Sequence, residues 1–193
     1  MAAIDLAEPS ALGQQVQVTQ QVDIAWQGKT HQLMVVWSQQ DGLFQVLGMT
    51  ATGQLLFRAQ LDHDEFSQQT FVAELESLDL KQLLQHIQMA YWPEAEVTAL
   101  LTKNKLQLDV VASAIGADKG AARQRLVRRA NRLLARYEFD TDDAFASVRI
   151  VADKQPSLTV TTLNVQALNT AQVLGQPRPH VDGAELPSEE IAQ

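Results

Sequence analysis

The sequence predicts a mainly β protein of the α+β class, an antiparallel meander interrupted by one helical segment. Three observations predict it. Val16, Val18, Val22, Ile24 and Trp26 share one parity, with polar residues between them, and a period of two marks a half-buried strand. Asp41-Gly42 joins two runs rich in strand formers, a strong hairpin signal. From Leu80 to Tyr91 the apolar residues change to helical spacing.

In chain order, residues 15–27 form the first strand and Gly28-Lys29-Thr30 a turn. Strands follow at 31–40, 43–49 and 54–61, each bounded by turn residues, and residues 71–75 read as one more short strand. Leu80, Leu83, Leu84, Ile87 and Tyr91 then line one face of a helix over 79–91, with Ser77 or Asp79 available to cap it. Pro93 stops that helix and suits the first turn of another over 94–101, whose early carboxylates complement the helix dipole. Strands resume at 106–112, 147–152 and 158–167, with a loop at 115–120 and a turn at Lys154-Gln155-Pro156. Residues 170–193 are broken by Gly175, Pro177, Pro179, Gly183 and Pro187 and read as a flexible tail.

Residues 121–139 (AARQRLVRRANRLLARYEF) hold six of the chain's 15 basic residues and read two ways. As a helix they are amphipathic and basic, suited to anionic lipid or a phosphate backbone. As a hairpin turning at Ala130-Asn131 they place Leu133, Ala135, Tyr137 and Phe139 on one face. In either form the plain reading of the arginines is a solvated surface.

Composition narrows the chemistry. With 46% hydrophobic and 20% charged residues among 193, the chain can bury a continuous core. The absence of cysteine excludes thiol catalysis, disulfides and thiolate metal sites. A net charge of −8 argues against broad nucleic-acid binding. His31, His63, His86 and His180 are scattered, and none has metal-ligand spacing. His63 between Asp62 and Asp64 is the most site-like cluster, with a solvated turn as the plainer reading. Asp140 to Asp143 matches a calcium loop only weakly, lacking its later glycine and glutamate. With no nucleophile elbow, P-loop or dinucleotide fingerprint, the expectation is a protein without catalysis, metal or cofactor.

Residues 78–101 (LDLKQLLQHIQMAYWPEAEVTALL), with their paired leucines around a Trp-Pro break, resemble a family of uncharacterised bacterial outer-membrane lipoproteins often encoded with aryl polyene biosynthesis genes. That family is itself similar to the lipoprotein-localisation factors LolA and LolB. The likeness spans about residues 16–169 and brings no catalytic residues with it. It implies an incomplete, strongly curved antiparallel β-barrel over residues 15–169, with a helical lid or plug at about 79–101. It also favours the hairpin at 121–139. In such proteins a lipidated cysteine begins the mature chain; the expectation here is a signal peptide and cysteine upstream of Met1, with residues 1–14 as a tether.

The resemblance thus implies a domain facing the periplasm at the outer membrane, binding or transferring a hydrophobic ligand. The ligand would be a lipoprotein acyl chain or an aryl polyene lipid, received from a periplasmic carrier protein. The expected wall residues are Trp26, Met34, Val36, Leu43, Leu47, Leu56 and Phe71, with Leu84, Ile87 and Trp92 from the lid. The same parity pattern would also build a filled core, so a structural module docking on an envelope or biosynthetic partner is the alternative. Nucleic-acid binding through residues 123–136 would require that segment to be an exposed helix.

Overall fold

The computed structural model describes residues 4–26, 29–76, 78–113, 122–153 and 157–168. Ten strands form one antiparallel sheet: β1 (Val16–Trp26), β2 (Lys29–Gln40), β3 (Leu43–Met49), β4 (Leu55–Asp62), β5 (Glu65–Thr70), β6 (Gln107–Ser113), β7 (Ala122–Arg129), β8 (Arg132–Phe139), β9 (Val148–Ala152) and β10 (Ser157–Ala167). Their order across the sheet is β5-β4-β3-β2-β1-β10-β9-β8-β7-β6. The chain's first and last strands therefore meet at the centre, Val22 opposite Val160, and β5 and β6 are the open edges. Two helices, α1 (Leu80–Tyr91) and α2 (Glu94–Lys103), connect those edges. The expected mainly β, open and antiparallel sheet is what forms.

Local chemistry accounts for most of these boundaries. Asp41 and Gly42 both hold positive φ, 50° and 81°, as the tight turn between β2 and β3 requires. The Asp79 carboxylate accepts from the Gln82 amide at 3.0 Å and caps α1. Pro93 lacks an amide hydrogen and stands at the cap of α2. Residues 122–139 form the hairpin, with Arg129 opposite Arg132 and Ala130 at φ 49° in the turn.

Three expectations need correction. The strand expected at 71–75 lies earlier, at β5, and residues 73–75 form a single 3-10 turn. β5 reads EFSQQT and carries little apolar signal because it is an edge strand with polar residues on both faces. The presumed N-terminal tether is packed from residue 4 onward: Ile4, Ala7 and Leu12 are buried in the core. The third concerns which face of β2 and β3 turns inward, taken up below. The proposed tail at 170–193 and the loop at 115–120 lie outside the described residues, as does the turn at 154–156.

The core is continuous and sits between the concave sheet face and α1. One end of that concavity is filled by aromatic rings. Trp37 stands at its centre, 5.6 Å from Tyr91, 5.7 Å from Phe145, 5.9 Å from Phe44 and 6.3 Å from Trp92 between ring centroids. The polar atoms within it are paired. The Trp37 indole donates to Gln20 Oε1 at 3.0 Å, and Gln20 Nε2 donates to Tyr91 Oη at 2.7 Å.

Candidate functional site

Away from the aromatic cluster the concave face is not filled. An apolar slot of about 170 Å³ opens between the first half of α1 and the strands β1, β2, β4 and β10. Its floor comes from Val22, Ile24, Leu33, Val35, Phe57 and Leu158, and its roof from Leu83 and His86. These floor residues arise from alternation along β1, β2 and the start of β10, which places every second residue on the concave side up to the register shift opposite Thr19 and Gln20. Asp79 and Gln82 stand at the helix start beside it. A smaller void of about 20 Å³ shares Val22, Val35, Leu83, His86 and Leu158 and extends the slot toward Tyr91.

His86 is the polar group of the roof. It is 4% exposed, and its Nδ1 lies 2.9 Å from the phenol oxygen of Tyr137. Burial pushes the Tyr137 phenol well above its usual range, so it stays protonated at neutral pH. Tyr91, nearer the aromatic end, is raised to about 12 by burial, opposed by its bonds to Gln20 and Thr162. Both phenols therefore act as neutral hydrogen-bonding groups.

The opposite end of α1 is fixed by a buried cation. Arg125, 4% exposed on β7, donates through Nη1 to the carbonyls of Met89 at 2.7 Å, Ala90 at 3.0 Å and Trp92 at 3.0 Å. Those carbonyls lie at the helix C-terminus, where the chain leaves oxygens unpaired and the dipole favours a positive charge. Burial, with Arg123 nearby, lowers the Arg125 pKa to about 10, which leaves it charged at neutral pH. Reading all six arginines as a solvated face missed this one. The signal was its parity: Arg125 and Val127 alternate with residues of the outer face, and both are buried. Of the others, Arg123 lies 4.6 Å over the Phe139 ring, Arg128 pairs with Asp109 at 2.9 Å, and Arg132 pairs with Asp153.

The expected wall residues separate into groups. Leu84, Ile87 and Trp92 are buried on the lid, Ile87 reaching the small void and Trp92 the aromatic cluster. Leu56 is buried beside a register shift between β3 and β4 and does not line the slot. Met34 and Val36 of β2, and Leu43 and Leu47 of β3, alternate with the buried set of Val35, Trp37, Phe44 and Val46, so they point to the convex face. There they form cross-strand pairs, Met34 with Met49 and Val36 with Leu47. Phe71 is 45% exposed just past β5. Trp26 lies on β1, and its side chain falls outside the described residues. None of the ten expected wall residues lines the slot itself; its apolar lining is Val22, Ile24, Leu33, Val35, Phe57, Leu78, Leu83 and Leu158.

Other clusters are solvated. His63 is in the β4–β5 turn, exposed, and paired with Asp62 at 2.8 Å. A wider open hollow beside it, about 590 Å³, is lined by charged groups including Asp5, Glu8, Asp64 and Lys81. Among the described residues no group of three or more acidic or histidine side chains could hold a metal ion. No described helix is long and apolar enough to cross a membrane.

A family model described as a protein of unknown function (DUF3261) matches residues 17–164, about three quarters of the chain. The chain belongs to the DUF3261 family. No curated protein matches it. The DUF3261 match runs from β1 into β10 and so contains the slot, α1, the aromatic cluster and Arg125. The packed segment at residues 4–12 precedes it.

Proposed function

We propose that this DUF3261 protein is a binding protein for a hydrophobic ligand, working without catalysis at the periplasmic face of the outer membrane. The observation that carries the binding part is the slot, a recess with an apolar floor that remains open beside the packed core. Dry apolar recesses of this kind gain ligand affinity from surface removed from water. The location and the choice between an acyl chain and an aryl polyene lipid rest on the resemblance in residues 78–101.

Size and charge constrain how a ligand enters. At about 170 Å³ the slot is close to the roughly 150 Å³ that holds one benzene ring and below the roughly 300–1,000 Å³ of ordinary ligand pockets. It therefore takes the apolar end of a lipid, not its whole length. Asp79 at the mouth disfavours an anionic head there, so the head stays in water.

Delipidated protein titrated with a fluorescent fatty acid, and separately with a polyene lipid, tests the reading. Saturable binding of either supports it, and absence of saturable binding of both refutes it. The filled aromatic end favours the second reading, a docking module, which predicts capture of an envelope or biosynthetic partner and no ligand binding.

A further inference from the structure

The two ends of the sheet differ in charge. The end that holds the β2–β3, β4–β5 and β8–β9 turns carries Asp41, Asp62, Asp64, Asp140, Asp142 and Asp143, all exposed. No lysine or arginine stands in those three turns. At the opposite end Lys103, Lys105, Arg129 and Arg132 are exposed where α2 runs into β6 and β7 turns into β8. These two connections are neighbours. Gln107 pairs with Arg128 across β6 and β7, and Leu106 and Arg129 lie one residue further along the same two segments.

Two of these cations stand where local chemistry disfavours them. α2 ends in a turn closed by the Lys105 amide donating to the Thr102 carbonyl at 3.0 Å and the Leu106 amide to the Leu101 carbonyl at 2.9 Å. Lys105 there holds φ 57°, a left-handed position that glycine normally fills. Arg129 is the register partner of Arg132, so like charges face each other across the hairpin. Asp153 pairs with Arg132, whereas Lys105 and Arg129 have no ion pair among the described residues. The helix dipole at the end of α2 accounts for Lys103. Nothing in the folding accounts for Lys105 and Arg129. Broken local rules of this kind gather at functional sites, and here they leave uncompensated positive charge on a chain of net −8.

The slot opens at this same end. Ile24, Leu33 and Leu158, toward the β1–β2 and β9–β10 turns, are partly exposed, whereas Val22 and Val35, one step inward, are buried. Among the described carboxylates of this end, Glu76 is exposed, Asp79 caps α1 and Asp153 meets Arg132. We propose that the end carrying Lys105, Arg129 and Arg132 seats on an anionic lipid surface and brings the mouth of the slot to it. The acidic opposite end is repelled, so charge alone selects the orientation. A lipid surface is favoured over another polyanion because the apolar mouth lies at the basic end, a choice that rests on the reading that the slot takes an apolar ligand.

The test is cosedimentation of the full chain with vesicles of phosphatidylcholine alone, and of phosphatidylcholine and phosphatidylglycerol in equal parts. Binding is expected only to the anionic vesicles and should weaken as salt rises. Lys105→Gly/Arg129→Gln should bind them roughly tenfold more weakly. Glycine suits the turn after α2, so this variant should unfold in urea no earlier than the parent. Arg58→Gln/Arg149→Gln, an equal loss of charge on the convex face, should bind as the parent does. Equal weakening by both variants, or equal binding to both kinds of vesicle, would overturn the seat, and so would tighter binding of a DNA duplex. Palmitate titrated without vesicles reads the slot separately. Palmitate binding with no vesicle binding would overturn the seat alone, and vesicle binding with no palmitate binding would overturn the slot reading alone.

Discussion

The Arg125 guanidinium lies 2.7 Å from the main-chain carbonyl of Met89, a buried charge on β7 closing the C-terminal end of α1. The Ala90 and Trp92 carbonyls share the same nitrogen. Removing this group orphans helix-end oxygens where water cannot replace it. Arg125→Met should therefore destabilise the fold by about 3 kcal/mol, since bonds to a charged donor contribute roughly 1.5–3 kcal/mol. Arg125→Lys should recover only part of that, because the shorter side chain does not carry its ammonium to the position of Nη1 among the three carbonyls. Urea unfolding measures both.

The phenol of Tyr91 predicts how the protein fails in alkali. Its pKa is raised from 10.0 to about 12 in the fold, so above pH 10 the unfolded chain loses a proton that the folded chain keeps. The folded state then binds more protons, and stability falls as pH rises through that window. Below pH 10 the contribution is fully present. Two units amount to about 3 kcal/mol for this buried group. Tyr91→Phe should make the decline between pH 10 and 12 shallower, with the share of the buried Tyr137 phenol remaining, as read from unfolding midpoints across that range.

Gly48 and Phe57 set a steric limit on the concave wall. They are register partners on β3 and β4, and the Phe57 ring occupies the space a side chain at Gly48 would need. Gly48→Ala should cost about 2 kcal/mol through overpacking. In a Phe57→Leu background the same change should cost much less, a coupling that a double-mutant cycle in urea detects.

The two faces of β2 give opposite predictions for ligand binding. Leu33 lines the slot, whereas Met34, its chain neighbour, points to the convex side. Leu33→Trp should weaken fatty-acid binding at least tenfold by filling the recess, a change of about 1.4 kcal/mol or more. Met34→Ala should leave it within twofold. Equal effects from both would place the ligand elsewhere.

The meander from β1 to β4 and the helix limits were readable because each has a local cause, such as Asp41-Gly42 at the β2–β3 turn or Asp79 and Pro93 at helix ends. The inward face of β2 was not readable. Leu33-Met34-Val35-Val36-Trp37 is apolar without a break, so its period carries no parity, and only pairing with β1 settles which residues turn inward. For residues 121–139 the alternation of arginine with leucine and valine satisfied helix and hairpin alike until the sheet supplied β6 and β9 as neighbours. Arg125 was missed because its partners are main-chain carbonyls 33 to 36 residues away, which no local pattern announces. The packed N-terminal segment escaped for a similar reason, since Gln85 and Gln88 grip it from 81 residues along the chain.

The slot itself is tested most directly by methyl NMR of the delipidated protein during titration with a fatty acid. The account predicts saturable shifts concentrated at Leu33, Val35, Leu83 and Leu158, with Met34, Val36 and Leu47 on the convex face unmoved. Shifts that do not saturate, or that saturate on the convex face instead, would contradict it.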